Sequence, residues 1–315
     1  MDREGFTAYL EGKSLAPLTQ SEYLLKTTLF LRWVGKEDIQ VTKPDVLNYL
    51  EYLKNSKGLQ NVSRSNHLLA LNHYFTFLYK EGQIARNPCL LLKIRGTVKK
   101  KLHRIYTPEE LEQLFDNYYQ LFIRSYDDSN YRDDAQRQFS ALHRERNAVM
   151  LSVLINQGTS TSETGSIEIN DIDLIKATLK IRGGKRGNDR TLPLKATQIG
   201  LFLHYIQSIR PQLLEYHTTE SNKLFLSLPA ISHRKTDNDM SRSTFTPFAT
   251  QVKSIDKQFF NFQQIRASVI TFWIKTQGLR KAQYMAGHRN ISNTEMYVTN
   301  NLDGLIEDIN KLHPF

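Results

Sequence analysis

The chain has 315 residues, 40% of them hydrophobic and 23% charged, and its 42 Lys and Arg exceed 32 Asp and Glu by a net charge of +10. This composition excludes a disordered chain, and no apolar run approaches the roughly 18 residues that a membrane span needs. The N-terminal sequence does not resemble a signal peptide. The single cysteine, Cys89, excludes an intramolecular disulfide and a cysteine-rich zinc module. We therefore expect a basic cytoplasmic protein with two domains.

Positive charge is concentrated at the N-terminal end. Residues 1–104 carry 17 Lys and Arg against 9 Asp and Glu, a net charge of +8, whereas residues 105–315 carry 25 against 23. A basic region beside a nearly neutral one is typical of proteins that contact polyanions, most often nucleic acid. A solvated surface that like charges keep soluble is the alternative interpretation.

The first 97 residues predict a compact helical domain. Capping patterns, an early proline and apolar residues at helical spacing support the predicted helices. Four helices are predicted, beginning near residues 19–22, 42–44, 61–63 and 87–88. The third is expected to end at Gly82, since glycine commonly terminates a helix.

A basic segment follows this domain. Lys99, Lys100, Lys101 and Arg104 lie close together in the sequence, and their mutual repulsion predicts an extended linker over 98–105. Such a linker can lie along a phosphate backbone or form an ordinary solvated loop, and the sequence leaves both open.

The second predicted domain covers 106–315 and is mostly helical. Thr107-Pro108-Glu109-Glu110 is a helix start, and the polar composition of 117–138 predicts an exposed insertion. A long helix is expected from about Phe139 to Gly158, and a short one from Ser162. Further elements are predicted as strands at 178–182 and 191–194, joined by a glycine-containing turn, and as helices at 199–209, 262–274 and 302–312.

Four side chains in this domain are candidates for a catalytic or phosphate-binding role. Lys185 lies on the hairpin turn, where it can reach a phosphate or remain solvated. Arg266 lies in an apolar helix and needs an anionic partner, because an unpaired buried charge is costly; Glu163 is a candidate. His288 and Tyr297 follow, each of which has an ordinary structural interpretation when taken alone.

Together these residues resemble the tyrosine recombinase (phage integrase) family over nearly the whole chain. The strongest match is Gly287-His288 with Tyr297 nine residues after the histidine. The other matching segments are Glu81-Gly82 with Asn87-Pro88, Thr107–Glu110, Gly184-Lys185 with Arg190-Thr191-Leu192-Pro193-Leu194, and the helix that contains Arg266.

The resemblance implies a helical, SAM-like core-binding domain, a mostly helical catalytic domain with a small antiparallel sheet, and DNA strand transfer without metal or nucleotide cofactor. Tyr297 would attack a backbone phosphate and form a 3′-phosphotyrosyl link. Lys185 would protonate the leaving oxygen, and Arg266 and His288 would hold the phosphate.

Two positions depart from the family pattern. Ser160 stands where the family has its first catalytic arginine, and Gln263 replaces a His or Lys three residues before Arg266. A hydroxyl cannot supply a charged, bidentate clamp, and glutamine cannot relay a proton at neutral pH. Another cation in a nearby segment could replace the missing charge; the candidates are Arg144, Arg146, Arg182 and Arg186.

The implied partner is double-stranded DNA, bound by a homotetramer on DNA, with a DNA-free monomer as an alternative and no membrane partner. The residues predicted to contact DNA are Lys99, Lys100, Lys101, Arg104, Ser63, Arg64, Asn66, His67 and Arg186. We expect a nucleoid-associated recombinase of a mobile element. A DNA-binding architectural or regulatory relative with a decayed active site is the alternative.

Overall fold

The computed structural model describes residues 1–96, 104–131, 133–184, 187–229, 234–236, 240 and 242–298. The chain forms two compact units, Met1–Lys101 and Leu102–Phe315. The fold is mainly helical, with one small antiparallel sheet in the C-terminal unit, as the sequence predicted. No helix in the described part of the chain has the length and apolar character that a membrane crossing requires.

The N-terminal unit is a helical bundle around an aromatic core. Its helices are α1 (Arg3–Gly12), α2 (Pro17–Val34), α3 (Lys43–Asn55) and α4 (Asn61–Lys80). Helix α3 begins as predicted, because Thr42 and Asp45 form a reciprocal capping box. Its buried face, with Tyr49 and Leu50, packs into a core that also contains Phe30, Phe75 and other apolar side chains.

Two expectations for this unit were wrong, and one helix was not predicted. Helix α2 begins at Pro17 with Ala16 as its N-cap, so the pattern at 19–22 lies inside the helix. Residues 88–91 form turns instead of a fourth helix. The additional helix is α1, which Asp2 caps by accepting a hydrogen bond from the main-chain N–H of Gly5. A proline sets the first turn of a helix better than a threonine two residues later, which explains the start of α2.

The C-terminal unit surrounds a second, larger core. Its elements are α5 (Pro108–Tyr119), α6 (Asp134–Gln157), α7 (Thr161–Ser166), β1 (Ile172–Asp173), β2 (Thr178–Ile181), β3 (Arg190–Pro193), α8 (Ala196–His204), α9 (Arg210–Leu214), α10 (Arg242–Ile255), α11 (Phe262–Gln277), α12 (Leu279–Ala286) and α13 (Ser292–Glu295). Helices α6 and α11 contribute much of the core, with Met150, Leu154, Ile265 and Ile270 nearly inaccessible to solvent.

The predicted hairpin is present and belongs to a three-stranded antiparallel sheet in the order β1-β2-β3. Leu179 pairs with Leu192, and Ile181 pairs with Arg190. Along β3 the buried positions alternate with exposed ones, so Arg190 and Leu192 face the interior. The sheet therefore carries a charged side chain into the core of the unit.

The region predicted as a polar insertion is partly structured. Helix α5 and a following π-helical turn, Gln120–Arg124, occupy its first part. Helix α6 begins at Asp134, five residues before the predicted start, because Asp133 caps it by accepting from the main-chain N–H of Gln136. The predicted helix at 302–312 lies outside the described residues.

Candidate active site

Tyr297 lies just after α13 and is 6% exposed. Its hydroxyl oxygen accepts a hydrogen bond from Nε2 of Gln263 at 3.0 Å, and its ring stacks on that of His288 with centroids 5.9 Å apart. The Arg266 side chain also interacts with Tyr297. Four residues that the sequence analysis selected from three separate segments are thus brought together.

Arg266 is buried in α11, and its guanidinium is held by main-chain and side-chain oxygens. Nη1 donates to the main-chain oxygen of Gly158 at 2.6 Å and to Oε2 of Glu163 at 2.8 Å. Nη2 donates to the main-chain oxygen of Ala286 at 2.8 Å and lies 3.5 Å from Nε2 of His288. The expected pairing with Glu163 is confirmed. These contacts fix the orientation of the guanidinium beside the tyrosine.

The histidine is neutral in this environment. Burial, together with the charges of Arg266 and Arg190, lowers the pKa of His288 to about 4. Its Nδ1 lies 2.9 Å from the hydroxyl of Thr294. Because Nε2 faces a guanidinium donor, the consistent tautomer carries its proton on Nδ1 and leaves Nε2 as an acceptor.

Ser160 is the N-cap of the short helix α7. Its hydroxyl accepts from the main-chain N–H of Glu163 at 3.2 Å, and its own N–H donates to Oε2 of Glu163 at 2.8 Å. The serine therefore belongs to a capping box that also fixes the carboxylate. It contributes no charge at this position.

A second arginine, Arg190, reaches the same carboxylate. Its Nη1 donates to Oε1 of Glu163 at 2.6 Å, and its side chain has no exposed surface. In the sequence, Arg190 belongs to the matching hairpin motif, and no role was predicted for it. The available signal was strand alternation: Arg190 shares the inward face of β3 with Leu192, and a charged residue on a buried strand face requires an internal partner.

The described cations that the sequence analysis offered as replacements are bound elsewhere. Arg182 pairs with Glu168 and Asp171, and Arg144 donates to the main-chain oxygen of Phe122. Arg146 is fully buried in a separate polar cluster. Lys185 and Arg186 lie outside the described residues.

Some of the residues predicted to contact DNA are hydrogen-bonded within the N-terminal unit, whereas others are exposed. Arg64 donates from Nε to the main-chain oxygen of Leu50 at 2.9 Å, and Nδ1 of His67 lies 3.2 Å from the hydroxyl of Tyr49. Asn66 is exposed and Ser63 is partly exposed on α4.

In the basic segment, Arg104 forms an exposed ion pair with Glu110. Lys99, Lys100 and Lys101 lie outside the described residues. Among the residues that are described, no group of three or more His, Cys, Asp or Glu side chains could hold a metal ion.

This arrangement, a tyrosine hydroxyl held beside an arginine and a neutral histidine on a helical domain, defines the tyrosine recombinase class. Residues 131–303 match the Phage integrase family, and residues 3–83 match the phage integrase N-terminal SAM-like domain. The chain therefore belongs to the phage integrase family, the family of tyrosine site-specific recombinases.

The chain is also similar to individual recombinases, in sequence or in fold. The chain is 26% identical to tyrosine recombinase XerC of Chlorobaculum parvum, over 99% of this chain and 94% of the relative. The fold is similar to that of the XerH site-specific recombinase bound to palindromic difH substrate, with a TM-score of 0.67 and 17% identity over 96% and 82% of the two chains. A lambda integrase tetramer bound to a Holliday junction gives a TM-score of 0.59 and 15% identity over 93% and 74%.

Proposed function

We propose that this protein is a site-specific DNA recombinase that cleaves and rejoins DNA through a 3′-phosphotyrosyl intermediate at Tyr297. The observation that carries the proposal is the cluster around Tyr297: Gln263 donates to its hydroxyl, the His288 ring stacks on its ring, and the Arg266 side chain interacts with it. Charged and polar donors around a nucleophile are what phosphoryl transfer requires.

In this proposal, the Tyr297 oxygen forms a bond to the scissile phosphorus while the bond from phosphorus to the 5′ oxygen breaks. The tyrosine loses its proton, and the 5′ oxygen gains one. His288 has an acceptor nitrogen next to the site, and a bound phosphate anion would raise its pKa from about 4 and make it a stronger base. Gln263 orients the hydroxyl, and Arg266 binds a non-bridging oxygen. By family resemblance, Lys185 protonates the leaving oxygen.

Ser160 makes this chain an atypical member in our proposal. We infer that it occupies the position of the family's first catalytic arginine, where it serves as a helix cap. Losing one donor from an anion-stabilising site typically lowers the rate roughly 100- to 1,000-fold. That loss favours a second candidate function, a DNA-binding architectural or regulatory protein that no longer cleaves.

We further infer how the chain engages DNA. The helical domain 1–97 and the catalytic domain 106–315, joined by the basic linker 98–105, would hold a duplex between them, with the exposed side chains of α4 towards a groove and the linker cations on phosphates. Four copies would assemble on two sites; a lambda integrase tetramer bound to a Holliday junction has a similar fold and supports a tetramer. The match to phage integrases supports a role in moving a mobile element.

The test is covalent capture. A supercoiled plasmid that carries the genomic DNA flanking the coding sequence is incubated with the full-length protein and denatured with SDS, and protein-linked ends are sequenced. A nicked duplex of the mapped site then traps the intermediate. We expect an adduct with wild type and none with Tyr297→Phe. Saturating DNA binding by wild type without any adduct would instead establish the second candidate function.

A further inference from the structure

Arg190 combines complete burial with unused hydrogen-bonding capacity. Its Nη1 atom donates to Glu163, but Nε and Nη2 are buried and have no hydrogen-bond partner in the part of the chain that the structure describes. Buried polar atoms in native proteins are nearly always bonded, so two unpaired donors on one guanidinium require an explanation. Their position beside the candidate active site provides one.

The backbone around Arg190 leaves room for this guanidinium. Gly287 has a φ of 71°, and a Cβ at this position would overlap Nη1 of Arg190. The main-chain N–H of Asn188 donates to the oxygen of Gly287 at 2.9 Å, and Gly187 forms a β-bridge with His288. The strand that carries Arg190 is therefore attached directly to the segment that carries the catalytic histidine.

The charges in the cluster do not balance. Glu163 accepts from both Arg190 and Arg266, and these two interactions outweigh burial and lower the pKa of its carboxyl. One carboxylate thus faces two guanidinium groups, and neither contacts a second carboxylate among the described residues. Since His288 is neutral, one positive charge remains uncompensated.

An uncompensated buried charge is costly unless an anion arrives to pair with it. A phosphodiester carries one negative charge, which matches the single excess positive charge of this cluster. Arg266 alone paired with Glu163 would leave the cluster neutral. The second guanidinium is what makes the site electrostatically complementary to a DNA phosphate.

We propose that Arg190 is a positioning residue of the phosphate site. Arg190 shares Glu163 with Arg266 and thereby supplies the positive charge that Ser160 lacks. This inference rests on the proposed recombinase function. Arg190 acts through the carboxylate that orients Arg266 and through the effect of its own charge on His288. A merely structural arginine would contribute to stability alone.

The experiment compares two forms of the nicked substrate at the mapped cleavage site. One has the native phosphate, and the other has a methylphosphonate, in which a neutral methyl group replaces one charged oxygen. On the native phosphate, Arg190→Gln should lower the rate of adduct formation roughly 100- to 1,000-fold. On the neutral methylphosphonate its effect should be less than about 10-fold, because no negative charge then needs compensation.

Arg210→Gln is the matched control for losing a buried arginine. Arg210 is 7% exposed and donates to the main-chain oxygens of Lys223 and Ser221. Its replacement should leave the ratio of the two rates as in wild type. Equal losses on both substrates for Arg190→Gln, or no loss on either, would overturn the proposal.

Arg190→Lys covers the case in which Arg190→Gln does not fold. Lysine retains the charge, so the ratio of the rate on the native phosphate to the rate on the methylphosphonate should stay close to that of wild type. A fall of about 10-fold or more in this ratio would contradict the proposal. An adduct with wild type but an unshifted ratio in Arg190→Gln refutes only the role of Arg190. Absence of any wild-type adduct refutes the recombinase function itself.

Discussion

Two buried arginines in separate clusters of the C-terminal unit differ in how the donors of their guanidinium groups are used. Arg146, in α6, donates to Asn147 and to the main-chain oxygen of Leu226, and its Nη2 lies 3.1 Å from Nδ1 of His143. Arg190 is equally buried, but two of its nitrogen atoms have no partner in the described structure. Each nitrogen atom of the Arg146 guanidinium has a protein partner, whereas the Arg190 guanidinium retains unpaired donors.

The comparison separates two reasons for burying an arginine. A guanidinium whose donors are all bonded to protein atoms holds elements together, and its removal leaves those acceptors unsatisfied. A guanidinium with unused donors contributes less to the folded state and is better explained by a role in the neighbouring site. Stability and activity should therefore respond in opposite order to the loss of Arg146 and of Arg190.

The largest expected effect on stability comes from Arg146→Met. It should lower the free energy of unfolding of the C-terminal unit by about 3 kcal/mol, because the Leu226 carbonyl and Asn147 lose buried partners. Arg190→Met should cost less than about 1 kcal/mol, because Glu163 keeps Arg266 and two unsatisfied donors disappear.

Urea unfolding followed by the fluorescence of Trp273, in a Trp33→Phe background, measures both values. Trp33 and Trp273 are the two tryptophans of the chain, one in each unit. A larger loss of stability for Arg190→Met than for Arg146→Met would reverse the comparison.

The next largest expected effect on stability comes from filling the space beside Arg190 with a methyl group at Gly287. Gly287→Ala should lower stability by about 2 kcal/mol and reduce adduct formation, because the new methyl group displaces the guanidinium and the positive φ adds strain. Gly35→Ala is the matched control, since Gly35 also ends a helix at positive φ but has open space around it. The control should cost only the backbone strain, about 1 kcal/mol. Equal stability losses for the two variants, measured by thermal unfolding, would show that Arg190 is not displaced.

The smallest expected effect is a change in the pKa of the histidine in each of the two clusters. Burial lowers the pKa of His143 to about 3 and that of His288 to about 4. Both pKa values are depressed in the folded state, so the unfolded chain binds more protons and stability falls as the pH is lowered from about 6.5 through 4. A DNA phosphate should raise the pKa of His288 by about one unit and leave that of His143 unchanged. NMR titration with Tyr297→Phe bound to the mapped duplex measures both, and equal shifts would contradict the distinction.

Local sequence patterns predicted much of the fold. Apolar spacing and caps identified α3, α5 and the hairpin, because capping boxes at Thr42 and Thr107 are local interactions. The same reasoning failed at α1 and at residues 88–91, where polar composition and tertiary packing decide between helix and turn. It also placed the start of α6 five residues too late, since the cap at Asp133 lies inside a polar stretch.

The candidate site was predicted residue by residue but not in its electrostatics. Tyr297, His288 and Arg266 were selected because together they resemble the tyrosine recombinase pattern, and the position of Arg266 in an apolar helix predicted a carboxylate partner such as Glu163. Arg190 shares that carboxylate because its side chain on β3 reaches Glu163 in α7 beside Gly287, and no local pattern encodes this long-range contact.

The most direct measurement is to locate the covalent link. Trypsin cleavage after Arg289 and Lys311 releases a peptide in which Tyr297 is the single tyrosine. After capture on the mapped site and nuclease digestion, mass spectrometry should find this peptide carrying a nucleotide through its 3′ phosphate, and the released DNA end should carry a 5′ hydroxyl. A nucleotide on any other peptide, or an adduct that persists in Tyr297→Phe, would contradict the assignment of Tyr297 as the nucleophile.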